Sequence, residues 1–256
     1  EGETGPRTDL TAYADANALA VDALLTLTAY TDAERPREYA RRTLSTLRED
    51  FVEDAGTVRH WDDASAPTLV LGDGAHTVAA GVRAAQVLGD DDALATARRV
   101  ADRTIQTLAG DDGAFRDGPA SGPGMLDRPL RPLDGNVAMA DALLDLSILT
   151  GESRYREVAH DAVAAFAGAW DRFGVQVAGY GAVAARLRHD PLTITVATDP
   201  GSDLHRAALR IADHEKVVHP GATGPNSGTA VVAVGDRSRT VSTPAALADA
   251  VADLAA

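Results

Sequence analysis

Six polar residues sit at the heads of three otherwise apolar segments of this chain: Asp15 and Asn17, Asp73 and His76, Asp134 and Asn136. Two carboxylates across a cleft can act on a sugar as general acid and general base, with roughly 5 to 10 Å between them deciding the stereochemical outcome. Asp73 and Asp134 are the candidate catalytic carboxylates. His76 joins them as a proton carrier suited to neutral pH, because no other segment repeats it. Asp15, Asn17 and Asn136 are candidate ligand contacts, as are His60 and Trp61, whose rings suit stacking on a sugar. Each has a structural alternative. Asp and Asn are favoured helix N-caps, worth about 1 kcal/mol each, so they recur at helix starts with no substrate present. His60 and Trp61 equally suit a packed aromatic lid.

Other polar clusters carry less. Arg116, Asp127, Arg128 and Arg131 could hold an anion, or pair with surface carboxylates. His205, His214, Glu215 and His219 are spaced to fall on a helix, a turn and a strand end, so no metal site is expected. No Gly-rich phosphate loop and no nucleophile elbow occur, and no cofactor is expected.

The elements that would position these residues form a repeat. "DANALAVDALLTLT" starts at Asp15 and "DGNVAMADALLDLS" at Asp134, with a weaker copy, "DGAHTVAAGVRAAQVLGD", at Asp73. The period is about 60 residues. Each copy opens with an apolar helix (18–30, 77–88, 137–149), rich in Ala and Leu nearly all round, which predicts burial on more than one side. A polar turn and an amphipathic helix from Arg37, Ala93 or Ser153 follow. The links 53–63 and 110–118 contain turn residues and a short extended piece, and the Pro-rich link 119–135 cannot be helical throughout. Inner and outer helices alternating in this way predict an α/α toroid of hairpins. Residues 175–188 add an inner helix, with Gly179 and Gly181 allowing close approach of neighbours. About seven helices make only part of a ring.

After Asp190-Pro191 the pattern changes. "LTITVAT", "EKVVH" and "TAVVAVG" read as strands, Ser202 or Asp203 caps a helix, and Thr243-Pro244 opens a last one. The expected organisation is mainly α, with a toroid segment over residues 1–190 and a small α/β unit over 191–256.

Composition excludes several classes. With 45% apolar residues the chain can bury a core, and it has no Cys for disulfides, thiolate catalysis or a Cys zinc site. It contains no apolar run long enough to span a bilayer and no signal peptide, so a cytoplasmic location is expected. A net charge of -14, with Lys216 the only lysine, opposes nucleic-acid binding and reads as adaptation to a high-salt cytoplasm or, alternatively, as a GC-biased genome that replaces Lys with Arg.

"ANALAVDALLTLTAYTDAERPREYARRTL", "LDGNVAMADALLDLSILTGESRYREVA" and "GSDLHRAALRIADHEKVVHP" resemble the C-terminal half of the thioredoxin-domain-containing proteins related to spermatogenesis-associated protein 20. This group is also labelled domain of unknown function 255, and the likeness is to its haloarchaeal form, over about residues 8–255. The resemblance implies a toroid similar to six-hairpin glycosidases and N-acylglucosamine 2-epimerase. It also implies a thioredoxin-like domain and first toroid hairpins as partners that this chain lacks, as a fragment or split-gene product would. The family brings no settled activity. Epimerases of the related fold use histidines, yet no partner for His76 stands near Ala18 or Val137. The expectation is a non-catalytic scaffold or interaction surface. The alternative is a carbohydrate-binding or carbohydrate-processing domain with its site at the N-terminal ends of the inner helices.

Overall fold

The computed structural model describes residues 9–63, 65, 69–119, 129–172, 178–213, 215–221 and 227–255. Three hairpins dominate it. Inner helices α1 (Ala14–Thr31), α3 (Leu71–Leu88) and α5 (Leu133–Thr150) alternate with outer helices α2 (Glu34–Thr46), α4 (Asp91–Leu108) and α6 (Ser153–Ala164). The inner helices lie side by side in the order α1–α3–α5, each backed by its own outer helix, and the shorter α7 (Ala178–Arg186) continues the row beyond α5. The chain is therefore mainly α, a segment of an α/α toroid.

The first two copies keep a fixed spacing. Fifty-seven residues separate Ala14 from Leu71, Glu34 from Asp91, and Gly56 from Gly113. After each of the first two outer helices the chain makes an antiparallel bridge, Val52 with Val58 and then Ala109 with Phe115. The turn between the bridged residues holds its glycine at φ +83° or +87°. At Gly56 a Cβ would lie 2.3 Å from the carbonyl oxygen of Arg99, so only glycine lets the link press against the next outer helix.

Burial corrects the uniform inner-helix reading. Helix α3, with neighbours on both sides, buries residues all round, from Leu71 to Val87. Helix α1 buries one stripe, Ala14, Ala18, Val21, Leu25 and Thr28–Ala29, and leaves Leu19 and Leu27 half-exposed. Its position at the edge of the arc explains the difference, since equally apolar sequence is covered only where another helix stands. Gly181 also departs from expectation: a Cβ there would meet nothing within 4 Å, so no neighbour requires it.

The helices begin several residues earlier than the apolar pattern predicts. Tyr13, Val70 and Pro132 hold the N-cap positions without a side-chain cap, and Asp15, Asp73 and Asp134 fall in the first turn. Link carbonyls do the capping instead: the amide of Ala14 donates to His60 O at 3.0 Å, and that of Leu71 to Asp117 O at 2.9 Å.

The C-terminal unit is a four-stranded sheet in the order β2-β1-β3-β4, made of β1 (Leu192–Val196), β2 (Val217–His219), β3 (Ala230–Val234) and β4 (Arg237–Val241). Strand β1 runs parallel to β2 through α8 (Asp203–Leu209) and antiparallel to β3, and α9 (Pro244–Ala255) packs on β3 and β4. Ser202 caps α8 through the His205 amide, and Thr243 caps α9 through that of Ala246. Strand β4, "RSRTV", escaped the sequence analysis because it is exposed along its length, a charged edge without apolar alternation.

This unit docks on the C-terminal ends of the inner helices. Buried His205 receives the Gly201 amide on Nδ1 and bonds Gln86 O through Nε2, and Gln86 Oε1 accepts from the Val218 amide. Arg206 and Arg210 reach Asp32, the left-handed cap of α1. Among the described residues no helix is long and apolar enough to cross a membrane.

Candidate functional site

At the N-terminal end of the inner helices, the first link folds over the head of α1, pairing Trp61 with Tyr13. The link carries His60 to Asp73 of α3, with His60 Nδ1 2.9 Å from Oδ2 and 3.2 Å from Oδ1. Asp73 is 1% exposed and also accepts the Asp15 amide at 3.2 Å. The His60 ring stands 5.3 Å from that of Tyr13 and 5.5 Å from that of Trp61, and the Tyr13 hydroxyl donates to Asp9. Candidates that were separate in sequence thus form one dyad: Asp73 orients the imidazole through Nδ1 and leaves Nε2 for another partner.

Burial pushes the Asp73 carboxyl up to about 6, against the pull of the His60 ring and with a smaller push from Asp15. Its native pKa exceeds the unfolded value of about 3.9, so its contribution to stability is full below about pH 4 and lost as pH rises through about 6. Urea unfolding should show the stability of the wild type, relative to Asp73→Asn, falling from about pH 4 to 6.5 and then levelling. A difference constant over that range would mean that the carboxylate is ionised throughout.

Farther down the concave wall lie two adjoining cavities. One, of about 170 Å³, is lined by Asp22, His76, Arg83, Asp141 and Asp145 among others. The second, of about 300 Å³, is lined by Asp134, Gly179, Arg186 and Glu215, and shares Ala138 and Asp141 with the first. Together they form a groove crossing α1, α3, α5 and α7. Arg83 Nε donates to Asp22 at 2.9 Å, and Arg186 spans Asp141 and Asp145 at 2.5 Å each. Burial raises the Asp145 carboxyl against the pull of Arg186. Burial likewise lowers His76, against Asp15 and Asp22, and so favours the neutral ring. A neutral imidazole among carboxylates can bond hydroxyl groups and move protons.

The structure thus places His76 and Asp134 along one groove and Asp73 outside it, behind His60. Asn136 is 2% exposed, and its amide is committed to main chain: Oδ1 accepts Phe115 N at 2.6 Å, while Nδ2 donates to Phe115 O and Pro132 O. It braces the second link, which removes it as a ligand contact. Asn17 donates to Tyr13 O. Arg116 bonds Thr107 O and Arg131 pairs with Asp112, while Asp127, Arg128 and His214 lie outside the described residues. Among the described residues no cluster of His, Asp and Glu is placed to hold a metal.

Sequence reasoning missed Asp22, Arg83, Asp141, Asp145 and Arg186. A signal existed for two of them. Asp22 and Asp141 occupy the same repeat position, "VDALL" and "ADALL", a carboxylate inside helices that are otherwise apolar.

Fold and groove together define the class: a segment of an α/α toroid with a polar concave face. Among solved structures it is similar to the GH76 α-mannanase of Bacteroides thetaiotaomicron (TM-score 0.54, 17% identity, 65% of this chain and 47% of that one). It is also similar to the unsaturated glucuronyl hydrolase of Bacillus sp. GL1 (0.53, 19%, 65% and 50%) and to a D-mannose isomerase (0.51, 15%, 61% and 42%). At these identities the likeness is one of fold, and the chain spans half or less of each structure's length. No family model matches the chain, and neither does any curated protein.

Proposed function

We propose that the concave groove binds and processes a carbohydrate. The observation that supports this most is the pair of adjoining cavities, about 170 and 300 Å³, whose walls combine His76 with Asp22, Asp134, Asp141 and Glu215. Sugars present many hydroxyls and little charge, and such a wall offers acceptors for the hydroxyls and a proton carrier for the ring or the glycosidic oxygen. His76 is the acid-base group in this reading. Asp134, exposed at the groove's end, is its carboxylate partner, and the His60–Asp73 dyad lies at the mouth.

A second reading keeps the arc as the scaffold of a thioredoxin-domain-containing protein, closed by further hairpins. Half-exposed Leu19 and Leu27 on the edge helix α1 favour it, because another inner helix would cover them. One experiment separates the two. Thermal unfolding is followed with mono- and disaccharides for the chain and its His76→Ala and Asp134→Asn variants. A sugar at 100 times its Kd adds about 2.7 kcal/mol, roughly 5 to 10 °C in Tm, and the variants should lose that shift. If no sugar raises Tm, the carbohydrate reading fails and the scaffold reading stands.

A further inference from the structure

Behind the groove, where the sheet unit meets the arc, lies a cavity of about 110 Å³. Its walls bring together Tyr30 of α1, Arg83 and Gln86 of α3, Val218 of β2 and Lys216 just before that strand. Its polar character is one-sided. Arg83 and Lys216 are cations, and no acidic side chain lines the cavity among the described residues. That is unusual in a chain of net charge -14 whose only lysine is Lys216.

Gln86 supplies the second, independent observation. It is 2% exposed, and its Oε1 is taken by the Val218 amide, yet its buried Nε2 has no hydrogen-bond partner among the described residues. A buried donor of this kind is normally satisfied. Lys216 is likewise under-used: Nζ donates to Asp213 O at 2.9 Å and lies 5.8 Å from the centre of the Tyr30 ring, and one carbonyl does not exhaust an ammonium's three donors. Burial first and then Arg83 lower the Lys216 pKa, with Asp213 opposing. Arg83 turns Nε to Asp22, which faces the groove on the other side.

We propose that this cavity is a binding site for a small oxyanion, phosphate or the carboxylate of a small acid, held by Lys216 Nζ, the Arg83 guanidinium and Gln86 Nε2. A bound oxyanion accepts from the orphaned amide, neutralises the two like charges that face the same space, and seals the joint between sheet and arc. A cavity of about 110 Å³ admits an ion of that size. The site shares Arg83 with the groove but not Lys216 or Gln86, so its occupancy is tested separately from sugar binding.

The test is calorimetric titration of the intact chain with inorganic phosphate and, separately, with acetate, in a chloride-free buffer whose anion is too large for the cavity. Saturable one-to-one binding of either probe is expected, and the one that binds identifies the source. Lys216→Met should weaken it at least tenfold. Gln86→Glu keeps the acceptor for the Val218 amide but replaces the free donor with a carboxylate. It should abolish anion binding and raise Tm in anion-free buffer, which loss of packing would not do. Absence of saturable binding by either probe overturns the proposal, and so does equal binding by wild type and Gln86→Glu.

Discussion

Replacing Arg186 with Met is expected to cost about 3 to 5 kcal/mol of stability at pH 8, the magnitude seen when one partner of a buried ion pair is removed. The guanidinium is 9% exposed and spans Asp141 and Asp145, carried eight residues into α5 and four farther. The two arms are unequal. Asp141 is 52% exposed, so its pairing is screened and contributes little; the Asp145 side chain, at 19%, carries the effect. Without Arg186, the Asp145 carboxyl, already raised by burial, keeps a like charge beside it and loses its main counter-charge. Its pKa rises further above the unfolded value, so the variant regains stability as pH falls and the carboxyl takes up a proton. Denaturant unfolding should show a large deficit at pH 8 that shrinks toward pH 5. Adding Asp145→Asn to Arg186→Met should recover part of it at pH 8. A deficit below about 1 kcal/mol at both pH values would mean that the clamp is solvated and does not hold α7 to the arc.

Arg186 also shows where the sequence stops being informative. The double layer was legible because apolar coverage differs between helices that need shelter on two sides and helices that need it on one, and that difference recurs along the chain. The groove was not, because its residues are single polar positions within the helices read as most apolar. Asp22 and Asp141 could have been picked out by overlaying the copies. Arg186 could not, since α7 has no copy in the repeat. The His60–Asp73 pair shows a different limit. The two residues are only 13 apart, but the contact depends on the link bridging back to Tyr13, and nothing in "VRHWDD" specifies that bridge. The first-turn carboxylates read as caps or as catalytic groups because propensity rewards Asp at helix starts; in α1 and α3 a link carbonyl takes the first helical amide, and Asp73 instead meets His60 and the Asp15 amide of the neighbouring helix.

Asn136 makes the distinction between capping and bracing measurable. Asn17 and Asn136 hold equivalent places in the repeat, the fourth residue of α1 and of α5, and as simple helix-start residues they would respond alike to truncation. Their surroundings say otherwise. Asn136 satisfies both the amide and the carbonyl of Phe115, a fully buried residue of the link that precedes α5. Asn136→Ala would leave those two buried main-chain groups without partners, each costing about 1 to 3 kcal/mol, so a total loss of about 3 to 4 kcal/mol is expected. Asn17 donates from Nδ2 to Tyr13 O at the head of its own helix, at a half-buried position. Asn17→Ala should therefore cost about 1 kcal/mol or less. Urea unfolding of the two variants, with amide hydrogen exchange at Phe115, checks both numbers. Equal losses would return both asparagines to helix-start chemistry, whereas a loss confined to Asn136, with faster exchange at Phe115, marks the link as a structural strand of the toroid, held to the next inner helix by one side chain.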